Sequence, residues 1–254
     1  MGYGKGPRYQ VSGQKLESRA VEADVKPKRK FDPNNDPAKL AKIGNAVSRR
    51  LEANPLVQRV PVDNLQLYVF IDFLGQRDCQ ILIDKIDAHA VPSTLYKGTE
   101  QDGFRTSSSC HLNRWDPDIT RIETKMKQVI GIDNDYAETM QGQRYHVGQE
   151  FKAHHDFFHP SEDYWLRESP TGGQRSWTAM IFLNAVQDGG ATEFPHVKIG
   201  IRPQAGTMLI WNNMQPDGTM NYKSLHTGTP VKAGVKHIIT KWYRQNNWLA
   251  LNSH

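Results

Sequence analysis

The C-terminal half of the chain is a succession of short apolar or alternating runs, and this pattern limits the possible folds more than any other feature. The runs cover 143–156, 176–186, 197–201, 206–212 and 236–244. They are separated by Gly, Pro, Asp and Asn, which favour turns. Many short strands joined by turns are typical of an antiparallel sandwich or barrel. The pattern therefore predicts a β core in this part of the chain.

Helical patterns precede the predicted core. Asp36 is a favoured N-cap residue, and the proline that follows it fits the first helical position. Together with apolar spacing, such signals predict a helix from Asp36 to Asn54, a strand over 67–73, and helices over 76–89 and 118–130. Helices followed by strands indicate an α+β fold in which N-terminal helices back the β core.

The first 60 residues are predicted to form a basic extension with one helix, and residues 61–254 the main domain. The net charge is +5, and much of the excess falls on Lys26, Lys28, Arg29 and Lys30. No aromatic residue interleaves this run, so a solvated tail is favoured over contact with nucleic acid or an acidic partner.

The sequence also bears on location and redox state. It contains no run of 18 apolar residues, so we expect no membrane-spanning helix. Its first residues lack the apolar stretch typical of a secretory signal. We therefore expect a cytoplasmic protein in which Cys79 and Cys110 are reduced thiols. Cys79 falls on the apolar face of the predicted 76–89 helix and is expected in the core.

His154 and Asp156 are candidate metal ligands. They are two residues apart in a predicted strand, so their side chains point to one face while His155 points to the other. Two histidines and one carboxylate on one face of an octahedron form the facial triad of non-haem Fe(II) oxygenases, which leaves three positions open. The alternative for an isolated His-x-Asp is a buried hydrogen-bonded pair without a metal.

The third ligand must come from elsewhere in the chain, and His226 is the candidate with support from a second residue. Ten residues after it, Lys236 opens an apolar run. A histidine that ends one strand and a lysine on the next strand can face one pocket. The lysine would then meet a dicarboxylate whose other end chelates the metal.

Further evidence comes from six segments taken together. They are FRTSSSCHL (104–112), QRYHVGQEFKAHHDFF (143–158), GGQRSWTAMIFLN (172–184), DGGATEFP (188–195), PQAGTMLIW (203–211) and HTGTPVKAGVKHIITKW (226–242). In this order and spacing they resemble the prolyl 4-hydroxylases of the 2-oxoglutarate dioxygenase superfamily. The similarity extends over about 70 to 245 and does not include the first 60 residues.

The resemblance implies a fold and an iron site. The implied fold is a double-stranded β-helix, or jelly roll, backed by N-terminal helices. His154, Asp156 and His226 match the iron ligands of the family. Lys236 matches the lysine that pairs with the distal carboxylate of 2-oxoglutarate.

Four further positions match residues around the co-substrate and the substrate. Tyr145 and Thr192 match groups that hydrogen-bond 2-oxoglutarate. Arg175 and Trp242 match residues on the substrate side of the iron. The alternative for Arg175 is neutralisation of a surface glutamate, Glu168 or Glu193.

The sequence departs from the family pattern beside these positions. His237 stands where the family often has tryptophan, and Phe182 where a tyrosine is common. We expect these changes to alter the polarity of the carboxylate pocket. The long irregular stretch 157–175 contains Trp165, which is the tryptophan expected to be most open to a ligand.

The implied activity is hydroxylation of a prolyl residue in a peptide or protein. Fe(II), 2-oxoglutarate and dioxygen are the implied cofactors, succinate is a product, and ascorbate is a candidate reductant. Asp156 favours hydroxylation because related halogenases lack this carboxylate. Loops over about 97–110 and 157–175 are positioned in the sequence to close over an extended peptide.

Two alternatives stay open. One is hydroxylation of a free amino acid or of another side chain. The other is a jelly-roll module that binds a metal without catalysis. Lys236 argues against the second alternative, because a binding module has no need of a group that anchors a co-substrate.

Overall fold

The computed structural model describes residues 9–11, 32–93 and 103–252, with only the backbone given for 9–11. Within these ranges the helices are Pro37–Glu52 (α1), Gln76–His89 (α2), Pro117–Ile130 (α3), Trp165–Glu168 (α4) and Trp248–Asn252 (α5). The three helices predicted ahead of the core are thereby confirmed. None of the described helices combines the length and apolar character needed to cross a membrane.

The larger sheet has eight antiparallel strands, numbered in chain order like all strands below. From one edge to the other they are Val57–Arg59 (β2), Leu67–Phe70 (β3), Met208–Asn212 (β12), Arg175–Phe182 (β8), Lys236–Arg244 (β15), Gln141–Tyr145 (β6), Ser108–His111 (β5) and Val91–Pro92 (β4). The central pair, β8 and β15, is the most extensive pairing in the sheet.

The second sheet has five antiparallel strands. In order they are Tyr9–Val11 (β1), Ile199–Ile201 (β11), Thr192–Phe194 (β10), His226–Gly228 (β13) and Phe151–His154 (β7). A two-stranded ribbon of Asp188–Gly189 (β9) and Val231–Ala233 (β14) completes the strands described. Two antiparallel sheets with helices on one side confirm the predicted α+β jelly roll.

The central strands of the eight-stranded sheet, β12, β8 and β15, are buried on both faces. On β12, Met208 and Ile210 pack against the helices, whereas Leu209 and Trp211 pack toward the five-stranded sheet. This alternation follows from the two-residue period of a strand. The sheet therefore separates a helix-backed core from a second core between the sheets, and the second core holds the candidate site.

The first helix is capped at its N-terminus and buried along one face. The Asp36 carboxylate accepts hydrogen bonds from the backbone N–H groups of Ala38 and Lys39. Leu40, Val47 and Leu51 are buried along one face, and the last two belong to the helix-backed core. The boundary at residue 60 stays a prediction, while the basic run 26–30 lies outside the described residues.

The stretch 157–175 is tied to the segment before α1. Trp165 is only 6% exposed, and its indole N–H donates to Asp32 Oδ2 over 2.9 Å. The backbone N–H of Gln174 donates to the carbonyl of Asn34. The expectation that Trp165 is open to a ligand was therefore wrong, because the segment at 32–34 covers it.

Cys79 and Cys110 are both free and buried. Cys79 packs within the helix-backed core, as expected from its place on the apolar face of α2. Both thiols have a pKa above the usual value, first of all because of burial. They are thus protonated, unreactive core groups.

Replacement of the N-cap tests the link between sequence and fold. Asp36→Ala is expected to lower the free energy of unfolding by about 1 kcal/mol, because two backbone N–H groups lose their acceptor. Urea denaturation measures the change. Asp36→Asn retains an acceptor oxygen and should keep most of the stability, so an equal loss in both variants would contradict the capping role.

Candidate active site

The pairing of β7 with β13 builds the centre of the site. His154 and His226 are direct register partners across these antiparallel strands. The sequence had predicted Asp156 within the same strand as His154. β7 ends at His154, so Asp156 lies just beyond the strand. The chain still turns the carboxylate toward both histidines. His154 Nε2 lies 3.9 Å from Asp156 Oδ1, and His226 Nε2 lies 3.6 Å from Asp156 Oδ2.

Each imidazole is oriented by a carbonyl two residues before it. His154 Nδ1 lies 2.8 Å from the carbonyl oxygen of Lys152, and His226 Nδ1 lies 2.9 Å from that of Ser224. A proton on each Nδ1 leaves each Nε2 lone pair free and directed at the carboxylate. This is the arrangement by which metal-binding histidines are usually held.

Asp156 is held by a short chain of hydrogen bonds. The amide nitrogen of Asn213 donates to Thr178 Oγ1 over 2.9 Å, and the Thr178 hydroxyl donates to Asp156 Oδ2 over 2.8 Å. Burial alone raises the pKa of the Asp156 carboxyl, but the nearby His226, His154 and Arg175 and the Thr178 hydroxyl together outweigh it, and its pKa lies below the usual value. The group is therefore a carboxylate.

Aromatic rings surround the histidines. Phe151 stacks on His154 with ring centroids 3.6 Å apart, and Trp211 meets His226 edge-on at 4.9 Å. Burial, followed by the nearby His226, lowers the pKa of His154 to about 3. The imidazole of His154 is thus neutral near pH 7, which is the form that binds a metal.

Lys236 lies on β15 directly opposite Tyr145 on β6. The lysine is only 2% exposed, and its Nζ lies 5.2 Å from the centroid of the Tyr145 ring. Burial lowers the pKa of Lys236 to about 7. Among the residues that the structure describes, no carboxylate forms an ion pair with it. A buried ammonium without an anion is costly, so the position favours an anionic ligand.

One pocket contains these groups. It has about 380 Å³ of unfilled space, including its open mouth. Seven of the eight predicted site residues line it, namely His154, Asp156, His226, Lys236, Tyr145, Thr192 and Trp242. Two buried polar residues that the sequence analysis missed, Gln143 and Thr240, also line it. Their alternation with Tyr145 and Lys236 along β6 and β15 was the signal that could have found them.

Arg175 packs against a residue of the pocket lining. Its guanidinium carbon is 4.2 Å from the centroid of Trp242, which lines the pocket. Its Nε and Nη2 donate to the two carboxylate oxygens of Glu138 over 2.6 and 2.7 Å. The sequence alternative named Glu168 as its partner, but Glu168 accepts from Arg244. The substrate role of Arg175 stays a prediction.

The two departures from the family pattern lie differently relative to the pocket. His237 does not contribute to the pocket in the described part of the chain, because alternation along β15 turns it away from Lys236. Its Nε2 lies 2.9 Å from Asp87 on α2. Phe182 does border the carboxylate pocket, with its ring centroid 5.5 Å from Lys236 Nζ.

The donor set fits a divalent first-row transition metal. The candidate ligand atoms of His154, Asp156 and His226 all lie within 4.8 Å of one another. They come from two neutral imidazoles and one carboxylate, which are the donors of the facial triad. His155 is directed elsewhere, with its Nε2 3.2 Å from the carbonyl of Tyr222.

Comparison with known proteins places the chain in a family. A family model described as the 2OG-Fe(II) oxygenase superfamily matches residues 140–244. A probable prolyl 4-hydroxylase from Arabidopsis thaliana is 31% identical over 199 residues, which cover 69% of this chain and 68% of the relative. The chain belongs to the prolyl 4-hydroxylase family. Fe(II), 2-oxoglutarate and dioxygen are the cofactors of this family of oxygenases.

Other relatives agree with this membership. The α-1 subunit of prolyl 4-hydroxylase from Gallus gallus is 34% identical over 201 residues, which cover 75% of this chain and 38% of that protein. A viral collagen prolyl hydroxylase from Paramecium Bursaria Chlorella virus-1, solved with 2-oxoglutarate, is 25% identical with a TM-score of 0.55. The match covers 70% of this chain and 95% of the viral one.

Removal of the Thr178 hydroxyl tests how Asp156 is held. Thr178→Val is expected to weaken binding of Fe(II) or Mn(II) by about 10- to 100-fold, because the carboxylate loses a group that orients it. Anaerobic competition with a chelator measures the affinity. Thr124→Val on the exposed face of α3 is the matched control and should change nothing. Equal affinities of Thr178→Val and wild type would refute the orienting role.

Proposed function

We propose that this protein hydroxylates a prolyl residue of a peptide or protein, using Fe(II), 2-oxoglutarate and dioxygen. The observation that carries the proposal is one pocket that contains both a His-Asp-His cluster and a buried lysine, with which no carboxylate of the described residues forms an ion pair. The cluster suits the metal, and the lysine suits the far carboxylate of the co-substrate.

Each residue in the proposal has a distinct task. His154, Asp156 and His226 would hold Fe(II) on one side and leave three positions open. Lys236 would bind the distal carboxylate of 2-oxoglutarate through a charge-assisted contact. Thr192, buried beside the lysine in the same pocket, would add a hydroxyl to the binding of the co-substrate.

Bound Fe(II) supplies the activation of dioxygen that couples decarboxylation of 2-oxoglutarate to succinate with hydroxylation of a C–H bond. The protein positions the reactants and excludes water from the pocket. Phe151, Met180, Trp211 and Ile238 form the apolar part of the pocket lining. They exclude water from the reacting groups and strengthen the contact between the lysine and the co-substrate carboxylate.

Peptidyl proline is the favoured substrate for two reasons. The similar viral protein is a collagen prolyl hydroxylase, and collagen is a proline-rich protein. On the proposed substrate side, Trp242 adds an aromatic ring to the pocket lining. Aromatic-lined grooves are a recurring binding surface for proline-rich peptides.

The activity test compares peptide with free amino acid. With Fe(II) and 2-oxoglutarate, succinate release is expected to rise with a proline-rich peptide more than with free L-proline. Mass spectrometry should show one added oxygen on a peptide prolyl residue. Stronger stimulation by free proline would favour the amino-acid hydroxylase, and no turnover with either would favour the metal-binding module.

Variants of the metal site serve as controls in the same assay. His154→Ala, Asp156→Ala and His226→Ala should each abolish turnover, because the triad loses a ligand. His155→Ala is the matched neighbour and should remain active. Full activity in Asp156→Ala would overturn the assignment of the triad.

The pKa of Lys236 predicts how co-substrate binding depends on pH. Free Lys236 loses its proton near pH 7 rather than at the usual 10.5, while the carboxylate binds only its charged form. Affinity for 2-oxoglutarate should therefore fall by about tenfold per pH unit above about 7. By the same linkage, the free protein should gain stability from this group as pH rises from about 7 to 10.5.

Titration of 2-oxoglutarate into the anaerobic Mn(II)-loaded protein at pH 7, 8 and 9 measures this dependence. Lys236→Met has a side chain of similar length without charge. Its affinity should be low at all three values and should lack the slope. If the slope persists in Lys236→Met, another group is responsible and the role of the lysine is refuted.

A further inference from the structure

A ladder of polar side chains lies on the β6 wall of the pocket. Gln141, Gln143 and Tyr145 are at alternate positions of β6, so they share one face of the strand. Gln143 is only 3% exposed and lines the pocket. The proposed roles of the metal ligands and Lys236 do not explain why such a buried amide is present.

The hydrogen bonds of this ladder have a defined direction. Arg105 Nη2 donates to Gln141 Oε1 over 2.8 Å, and a guanidinium can only donate. Gln141 Oε1 also accepts from Gln143 Nε2 over 3.2 Å, and the same Nε2 lies 3.0 Å from Thr240 Oγ1. The arginine therefore fixes the amide of Gln141, which in turn fixes the amide of Gln143.

The fixed orientation of Gln143 also determines the hydrogen bond of Tyr145, the last residue of the ladder. With its nitrogen committed, Gln143 presents Oε1 to the phenol, and the Tyr145 hydroxyl donates to it over 2.7 Å. A phenol has one proton to donate, and a carboxylate has none. Tyr145 can therefore donate to a carboxylate in the pocket only if it first leaves Gln143.

We propose that Gln143 competes with 2-oxoglutarate for the hydroxyl proton of Tyr145 and so weakens the binding of the co-substrate. The inference rests on the function proposed above. Gln143 is a positioning residue in this scheme, since it acts through the tyrosine. Weaker binding of 2-oxoglutarate raises the concentration range over which the reaction rate responds to this co-substrate.

Removal of the competing acceptor tests the inference. Gln143→Leu is expected to tighten 2-oxoglutarate binding by about three- to tenfold, the range of one net hydrogen bond. Quenching of tryptophan fluorescence in the anaerobic Mn(II)-loaded protein reports binding, since Trp211 and Trp242 line the pocket. Gln80→Leu on the exposed face of α2 is the matched control and should bind like wild type.

The double-mutant cycle separates competition from a change in pocket polarity. Tyr145→Phe alone should change affinity less than about threefold, because its proton is already committed. In the Gln143→Leu background, Tyr145→Phe should remove the whole gain. Additive effects of the two substitutions, or unchanged or weaker binding in Gln143→Leu, would overturn the inference.

Two further measurements keep the outcome clear. If Gln143→Leu does not fold by circular dichroism, Gln143→Met, of similar length and without an acceptor oxygen, takes its place. The wild-type titration tests the proposed function separately. A wild-type protein that binds Mn(II) but no 2-oxoglutarate would overturn the proposed function, and the inference with it.

Discussion

The antiparallel pairing of β7 with β13 is the interaction on which the site depends. It sets His154 opposite His226 and brings together two distant parts of the chain. Burial then acts on what the pairing has assembled. Polar groups removed from water need partners, and at this site carbonyls, Thr178 and Asn213 provide them. Lys236 is the group for which the described residues provide no ion-pair partner.

The central strands of the eight-stranded sheet are buried on both faces, so one strand contributes side chains to both cores. All nine residues of β15 are buried. Ile239 and Tyr243 pack toward the helices, whereas Lys236, Thr240 and Trp242 face the pocket. A strand buried on both sides lacks the usual apolar-polar alternation. Polar residues lie on both faces of β15, since His237 contacts Asp87 on α2 and Lys241 donates to Glu123 on α3. Polarity alone therefore does not identify the pocket face.

Most elements and seven pocket residues could be predicted from the sequence, because caps, apolar spacing and the family motifs are local signals. What could not be predicted depends on partners far apart in the chain. No rule of sequence spacing joins Glu138 to Arg175, which it binds. None joins Trp165 to the segment before α1 that covers it. The strand geometry assumed for Asp156 was also incomplete, since a turn rather than a strand delivers the carboxylate.

Two hydrogen-bond chains end at groups that line the pocket. One directs a proton to a metal ligand, and the other directs a proton to a protein side chain instead of a ligand. The amide nitrogen of Asn213 donates to Thr178, so the threonine proton is directed to the Asp156 carboxylate. On the other wall, a donor-only arginine directs the glutamines so that the Tyr145 hydroxyl donates to Gln143 rather than to a ligand. The first chain strengthens the metal site and the second withholds a donor from the co-substrate. The direction of each chain follows from the end whose chemistry allows only one role.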